Sequence, residues 1–171
     1  MSKQSRPTTI LLFDIGHVTC GLRHQDVREI VALPALQRPP GCPEALAGLL
    51  NLAGVAIPVL RLDRLLGLPA SPPGAYQAVI ILRDAEPPLA VLADRATDVV
   101  AVSAARILPV APEETYNGCV SAQLALDDGT TAHLLSCERV VDERERRSLA
   151  DFQAMQQRRL DELGLDIQEA S

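Results

Sequence analysis

LAGLLNLAGVAIPVLRLDRLLG, residues 46 to 67, is the stretch whose reading decides the fold. Two apolar runs, Leu49–Leu52 and Val55–Leu60, flank Ala53-Gly54. Gly54 supplies the positive φ of a tight hairpin at little steric cost. The runs are short, and the second is rich in Val and Ile, so they read as strands rather than helix. Pro58 would break a helix interior. In a strand it must sit at an edge or a bulge, where no ladder donor is required. Neither face of the second run is polar: Val55, Ile57 and Val59 point one way, Ala56, Pro58 and Leu60 the other. A strand apolar on both faces is covered on both, by two layers of its own chain or by a partner.

The bulk numbers narrow what such a hairpin belongs to. With 171 residues the chain can form one domain or two small subdomains and needs no disulfide or metal staple. Hydrophobic residues make up 47% and aromatics only 2%, so the core is aliphatic. A net charge of −6 argues against nucleic acid, which needs clustered Lys and Arg. No apolar run approaches the length of a membrane span, so no membrane insertion is expected. The polar start MSKQSRPTT lacks a signal-peptide apolar region, which predicts a cytoplasmic protein. Cys20, Cys42, Cys119 and Cys137 form no C-x-x-C pair, and no His follows them at zinc spacing. They read as small buried hydrophobes in a reducing compartment, and neither metal nor cofactor is expected.

Outward from the hairpin, the chain carries one pattern twice. Thr8–Ile15 and Val18–Leu22 read as strands around Gly16. In HQDVREIV, Asp26 can cap a short helical turn with Val27, Ile30 and Val31 on one face. A proline-rich loop at 32–43 follows, then a short helix or turn at 44–49, the hairpin, and one helical turn at Leu62–Leu68. ASPPG at Ala70–Gly74 is the clearest linker. After it come strands Ala78–Leu82 and Leu89–Leu92, then ADRATDVVAV in the place of HQDVREIV. A second proline loop follows at Arg106–Pro112, then a hairpin turning at Asp127-Asp128-Gly129. Ile10 and Val79, and Gly48 and Gly118, are each separated by roughly 70 residues. This is an internal duplication of one β unit, and it predicts two small barrels, joined near residues 70–74. Residues 1–8 are expected to be disordered, 9–141 to hold the duplicated domain and 142–171 a C-terminal helix and tail. Leu149, Phe152, Met155 or Gln156, Leu160 and Leu163 mark the apolar stripe of that helix, with Gly164 a natural stop. It reads either as packing on the barrels or as a partner-binding helix.

Chemistry is sparsely signalled. Cys119, His133 and Asp127 or Asp128 are the only grouping that could resemble a nucleophile, base and orienting acid. The aspartates already have a turn role, and no G-x-S-x-G, HExxH, P-loop or G-x-G-x-x-G occurs. No catalytic residue is assigned, and a Cys-dependent enzyme is the remote alternative. The acidic–apolar pairs are more informative. Val27, Glu29 and Ile30 in one repeat and Asp98 and Val99 in the other hold equivalent places.

Six stretches in order then resemble the CheW-like adaptor domain of bacterial chemosensory arrays. They are LLFDIG, VREI, PGCPEAL, GLLNLAGVAIPVLRL, LADRATDVV and the last hairpin ending HLLSCERVV. The resemblance runs from about Thr9 to Val141. It implies a mainly β fold of two pseudo-symmetric, five-stranded SH3-like barrels with short helices and a C-terminal helix. It implies a non-catalytic adaptor between chemoreceptor tips and the CheW-like regulatory domain of a CheA-type histidine kinase, in the cytoplasm at membrane-bound receptor arrays. By that resemblance Val27, Glu29, Ile30, Asn51, Ala53 and Val99 are receptor-side residues, and Gly48, Leu49 and Leu50 kinase-side. Two places depart from the family pattern. The usual N-L-R-G turn reads NLAG, with Ala53 for Arg, and V-D-L-R reads LRLD, with Arg61 and Asp63. These departures imply an adaptor of an alternative system, or one with weakened receptor binding that acts as a spacer or modulator. Glu29, deprived of the turn arginine, is expected to face water or another cation, for which Arg61 is a candidate.

Overall fold

The computed structural model describes residues 6–70, 72, 74–85, 88–111, 113, 118–136, 139 and 143–169. Residues 1–5 of the expected disordered start, Cys137, and the helix start at Asp142 lie outside the described residues. The elements, in chain order, are strands β1 (Thr8–Ile15), β2 (Val18–Arg23) and β3 (Val27–Ala32), then β4 (Leu46–Leu52), β5 (Val55–Arg61) and the helical turn α1 (Leu62–Leu65). After these come β6 (Ala78–Leu82), β7 (Ala90–Ala93), β8 (Arg95–Val102), β9 (Ile107–Pro109), β10 (Val120–Ala125), β11 (Thr131–Leu135) and the long helix α2 (Glu143–Glu169). They form a six-stranded sheet, in order β8-β1-β2-β11-β10-β9, and a five-stranded sheet, in order β3-β6-β7-β5-β4.

The hairpin at the centre of the sequence forms as read. Ala53 and Gly54 both take positive φ, 49° and 85°, the backbone of a type I′ turn. The turn is held by Asn51, whose Oδ1 accepts from the Gly54 N–H at 3.0 Å. Pro58, expected at an edge or bulge, lies instead in an interior strand, opposite Leu49. Leu49 turns its N–H and C=O away from β5 toward Gln37, at 2.7 and 3.0 Å. No ladder bond crosses the Leu49–Pro58 pair, and on the other side β7 pairs with β5 only from Val59 onward, so the missing donor is needed on neither side.

The duplication is real at the level of register, but the barrels are not the two halves of the chain. In the β3–β6 pair the register slips between Val27 and Glu29, and in the β1–β8 pair it slips between their partners 69 residues on, Ala96 and Asp98. The hairpins slip at matching places too, between Leu46 and Gly48 and between Val120 and Ala122. Each sheet combines the first two strands of one repeat with later strands of the other, three in the five-stranded sheet and four in the six-stranded one, so the repeats exchange strands. The strands on either side of the linker expected to join two barrels, β5 and β6, lie in the same sheet. By the position of the hairpin slips, Gly48 corresponds to Ala122 of the other repeat rather than to Gly118. Two further expectations change. Residues 27–31 and 96–100 are bulged edge strands, not helical turns. One sheet has six strands because β9 joins it; in the other sheet the counterpart of β9 is a single bridge, Gln37 to Leu49.

Each sheet curls round its own aliphatic core. Ile10, Leu12, Leu124 and Leu134 fill one, and Leu50, Ile57, Val59, Val79 and Ile81 the other. Alternate residues of the same strands point outward and meet in a third, larger core between the barrels. Leu11, Phe13, Leu60, Ile80 and Leu82 belong to it. The second face of β5 is covered by this central core and by helix α2. Val55, expected to be buried, is 41% exposed because it sits at the hairpin tip, while Ile57 and Val59 are 1% and 0% exposed.

Helix α2 docks on this framework through Leu149 and Phe152, which enter the central core. The stripe continues through Gln156, 8% exposed, whereas Met155 and Leu163 are 41% and 57% exposed. The helix runs on past Gly164 to Glu169. One glycine among helix formers costs only about 1 kcal/mol, too little to end it.

Candidate functional site

The first candidate surface grows out of the paired bulges. A bulge inserts one residue and turns the strand, which blunts an open edge. Arg28 is the residue bypassed in β3, and Thr97 is its counterpart in β8. Just beyond each lie an acid and an aliphatic residue: Glu29-Ile30 on one edge, Asp98-Val99 on the other. Ile30 lies opposite Ile80 and Val99 opposite Leu11, matching positions of the two repeats. Both side chains are left in water, 41% and 52% exposed, although their barrels have closed aliphatic cores. An aliphatic residue kept exposed at the same place in both repeats marks a contact surface better than either alone.

The other residues read as receptor-side are distributed around this edge. Val27 is buried, at 7%, and anchors β3 rather than presenting a contact. Asn51 and Ala53 are exposed on the hairpin at the opposite edge of the same sheet. Asn51 is occupied by its turn hydrogen bond. Val99 stands on the other sheet.

Arg61 does not answer Glu29. Its guanidinium makes a two-pronged contact with Asp63, Nε to Oδ1 at 3.3 Å and a terminal NH2 to Oδ2 at 2.8 Å. Asp63 is only 7% exposed and also accepts from the Arg64 N–H at 2.9 Å. A buried carboxylate needs this degree of satisfaction. The unusual LRLD order thus encodes a local ion pair. Among the described residues no ion pair holds Glu29.

The second candidate surface, Gly48–Leu50, is buried by its own chain. A Cβ on Gly48 would meet Gln37 O at 2.8 Å and Leu36 Cβ at 2.9 Å. Gly48 is thus the place where the chain at 36–37 crosses the hairpin. Leu49 and Leu50 are 4% and 6% exposed. These residues shape the β4 edge without themselves being its surface.

Sequence reasoning missed how α2 grips the hairpin. β7 pairs with β5 only from Val59 onward, which leaves the Ala56 backbone outside the ladder. Gln157 Oε1 accepts from the Ala56 N–H at 2.9 Å, and Gln153 Nε2 donates to the Ala56 C=O at 3.1 Å. Gln157 Nε2 also donates to the Gly54 C=O at 2.7 Å. Two glutamines one turn apart on a helix are a recognisable pattern. Their partner, about 100 residues earlier, is not.

The possible catalytic grouping does not assemble. Asp127 pairs with Arg106, and Asp128 accepts from the Thr130 N–H at 2.9 Å; both lie at the hairpin turn. Cys119 precedes β10, a strand whose six residues span roughly 20 Å. Burial pushes the Cys119 thiol up, away from the thiolate a nucleophile needs. Among the described residues no group of three or more His, Cys, Asp or Glu could hold a metal, and no helix is long and apolar enough to cross a membrane.

A sequence model of the CheW-like domain matches residues 9–145. Among solved structures, that of the scaffolding protein TtCheW from Thermoanaerobacter tengcongensis has a similar fold, with a TM-score of 0.73 and 22% sequence identity. The likeness covers 83% of this chain and 92% of TtCheW. A search of curated proteins gave no match.

Proposed function

The chain belongs to the CheW-like domain family, and on that premise we propose that it is a non-catalytic adaptor that couples chemoreceptor tips to a CheA-type histidine kinase. One observation carries the receptor side of this reading. The two edge strands β3 and β8 are bulged at matching positions, and each exposes an acid beside an aliphatic residue. A helical receptor tip offers apolar and basic side chains at helical spacing, which is what such an edge can take. The kinase side is the β4 edge, with Gly48, Leu49 and Leu50 setting its shape from beneath the segment at 36–37. Adaptors of this kind work through small contacts whose strength comes from being many in one array.

A second reading, weakened receptor coupling, is favoured by one specific feature. Ala53 stands where the family has an arginine, and the other candidate cation, Arg61, is committed to Asp63. The experiment is calorimetric titration of the protein and of Ala53→Arg with a receptor-tip fragment and, separately, with a kinase regulatory domain. An adaptor binds both partners. Stronger receptor binding by Ala53→Arg, with kinase binding unchanged, supports the weakened form. Binding to neither partner removes the adaptor reading.

A further inference from the structure

Between α2 and the β4–β5 hairpin lies a pocket of about 220 Å³. Leu49 and Leu50 line it from the hairpin, and Leu160 and Leu163 from the helix. Gln156 and Arg159, neighbours across one turn of α2, line it too. Gln156 is 8% exposed, and its Nε2 has no hydrogen-bond partner among the described residues. The contrast with Gln153 and Gln157 is informative, since both of those spend their amides on the hairpin backbone. A buried amide N–H without an acceptor is destabilising, and a leucine at 156 would continue the stripe of Leu149 and Phe152 without that penalty. Arg159 is exposed and makes no ion pair among the described residues. A buried donor and a surface cation beside an aliphatic lining select one chemistry: an anionic acceptor on a short branched hydrocarbon. The volume sets the size. It falls below the roughly 300–1,000 Å³ of sites for drug-sized ligands, so the occupant is about as large as one side chain.

We propose that this pocket binds an aliphatic carboxylate. The carboxylate pairs with Arg159 and, as the Gln156 side chain turns its sealed amide toward the pocket, accepts from Nε2, while the branched body packs on Leu49, Leu50 and Leu160. Two sources carry that chemistry: a free short-chain acid and the C-terminal residue of a polypeptide. The test uses the full chain, with the methyl resonances of Leu50 and Leu160 followed by NMR. It is titrated with 4-methylpentanoate, and with a tripeptide ending in leucine, as free acid and as amide. Some eight heavy atoms at ordinary small-ligand efficiency give a dissociation constant of about 1 mM. Gln156→Leu keeps the packing and removes the donor, so affinity falls about tenfold. Arg159→Gln, at an exposed position that leaves the docking of α2 intact, lowers it about threefold. Tighter binding of the peptide acid than of 4-methylpentanoate, with none by the amide, assigns the pocket to a polypeptide C-terminus. Binding of 4-methylpentanoate alone assigns it to a free acid. Absence of methyl shifts with every probe up to about 20 mM, or affinities that neither variant changes, overturns the proposal.

Discussion

Gly48→Ala adds a single methyl group at the tightest point of the hairpin. Its Cβ would stand 2.8 Å from Gln37 O and 2.9 Å from Leu36 Cβ, closer than van der Waals contact allows. The first obstacle is backbone, so it cannot rotate aside as a flexible side chain would. Gly48 also has φ of 154°, outside the comfortable range of an L side chain. Relief requires the segment at 36–37 to lift from β4. That stretches the two Gln37–Leu49 backbone hydrogen bonds, now 2.7 and 3.0 Å. Overpacking of this kind costs about 1–3 kcal/mol, and each hydrogen bond about 0.5–1.5 kcal/mol. With both hydrogen bonds lost, the expected destabilisation is about 2–6 kcal/mol. In a chain of this length each kcal/mol lowers Tm by about 2–4 °C. The assay is urea unfolding followed by far-UV circular dichroism, with the m-value checked for two-state behaviour. A loss under about 0.5 kcal/mol, the ordinary range for a free surface position, refutes the crossing contact at Gly48. The same geometry means that a charged residue at 48 disturbs the fold before it can report on any partner.

Other positions follow the same physics. Ile57→Ala empties part of a barrel core and costs about 2–5 kcal/mol, while Val55→Ala at the exposed tip costs under about 0.5 kcal/mol; equal effects by urea unfolding would contradict the burial of one and not the other. Gln157→Ala leaves the Ala56 N–H and Gly54 C=O without their helix partner, so about 1–3 kcal/mol is lost, and hydrogen exchange at Ala56 accelerates; unchanged exchange would mean that α2 does not grip the hairpin. Burial, and then the neighbouring Cys119 and Asp14, push the Cys20 thiol up from 9.0 to about 12. The fold therefore holds that proton more tightly than the unfolded chain. The stabilisation is whole below pH 9 and lost as pH rises toward 12. Denaturation across that range shows a fall that Cys20→Ala reduces, and an identical profile for both proteins would remove Cys20 as its source.

What the sequence made legible follows from what local patterns can encode. Ala53-Gly54 between two apolar runs specifies a hairpin, because turn and register are neighbours in the chain. The 69-residue echo of Glu29-Ile30 in Asp98-Val99 is likewise written in the residues. The exchange of strands between repeats is not. Alternation says that Ile80 and Val79 face opposite ways, but not which strand lies beside them. The error at 27–31 has a definite cause. Val27, Ile30 and Val31 have helical spacing because a bulge at Arg28 resets the two-residue alternation of a strand. Helix α2 showed its stripe through Leu149 and Phe152, while the roles of Gln153, Gln156 and Gln157 depend on a hairpin far away in the chain. Gly48 could be read as a notable glycine, but its reason, the passage of Gln37, exists only in three dimensions.

The central claim is that the bulged edges of β3 and β8 face the receptor in an adaptor that also holds the kinase. Ile30→Asp and Val99→Asp place a charge on each edge without touching a core, since neither residue belongs to a core cluster and they are 41% and 52% exposed. The decisive measurement is the affinity of a receptor-tip fragment for the protein and for these two variants, with a kinase regulatory domain titrated in parallel. Desolvating one added carboxylate in such a contact weakens receptor binding about tenfold or more. The account predicts that loss in both variants, with kinase affinity and Tm unchanged. Receptor affinity that neither substitution alters would contradict it.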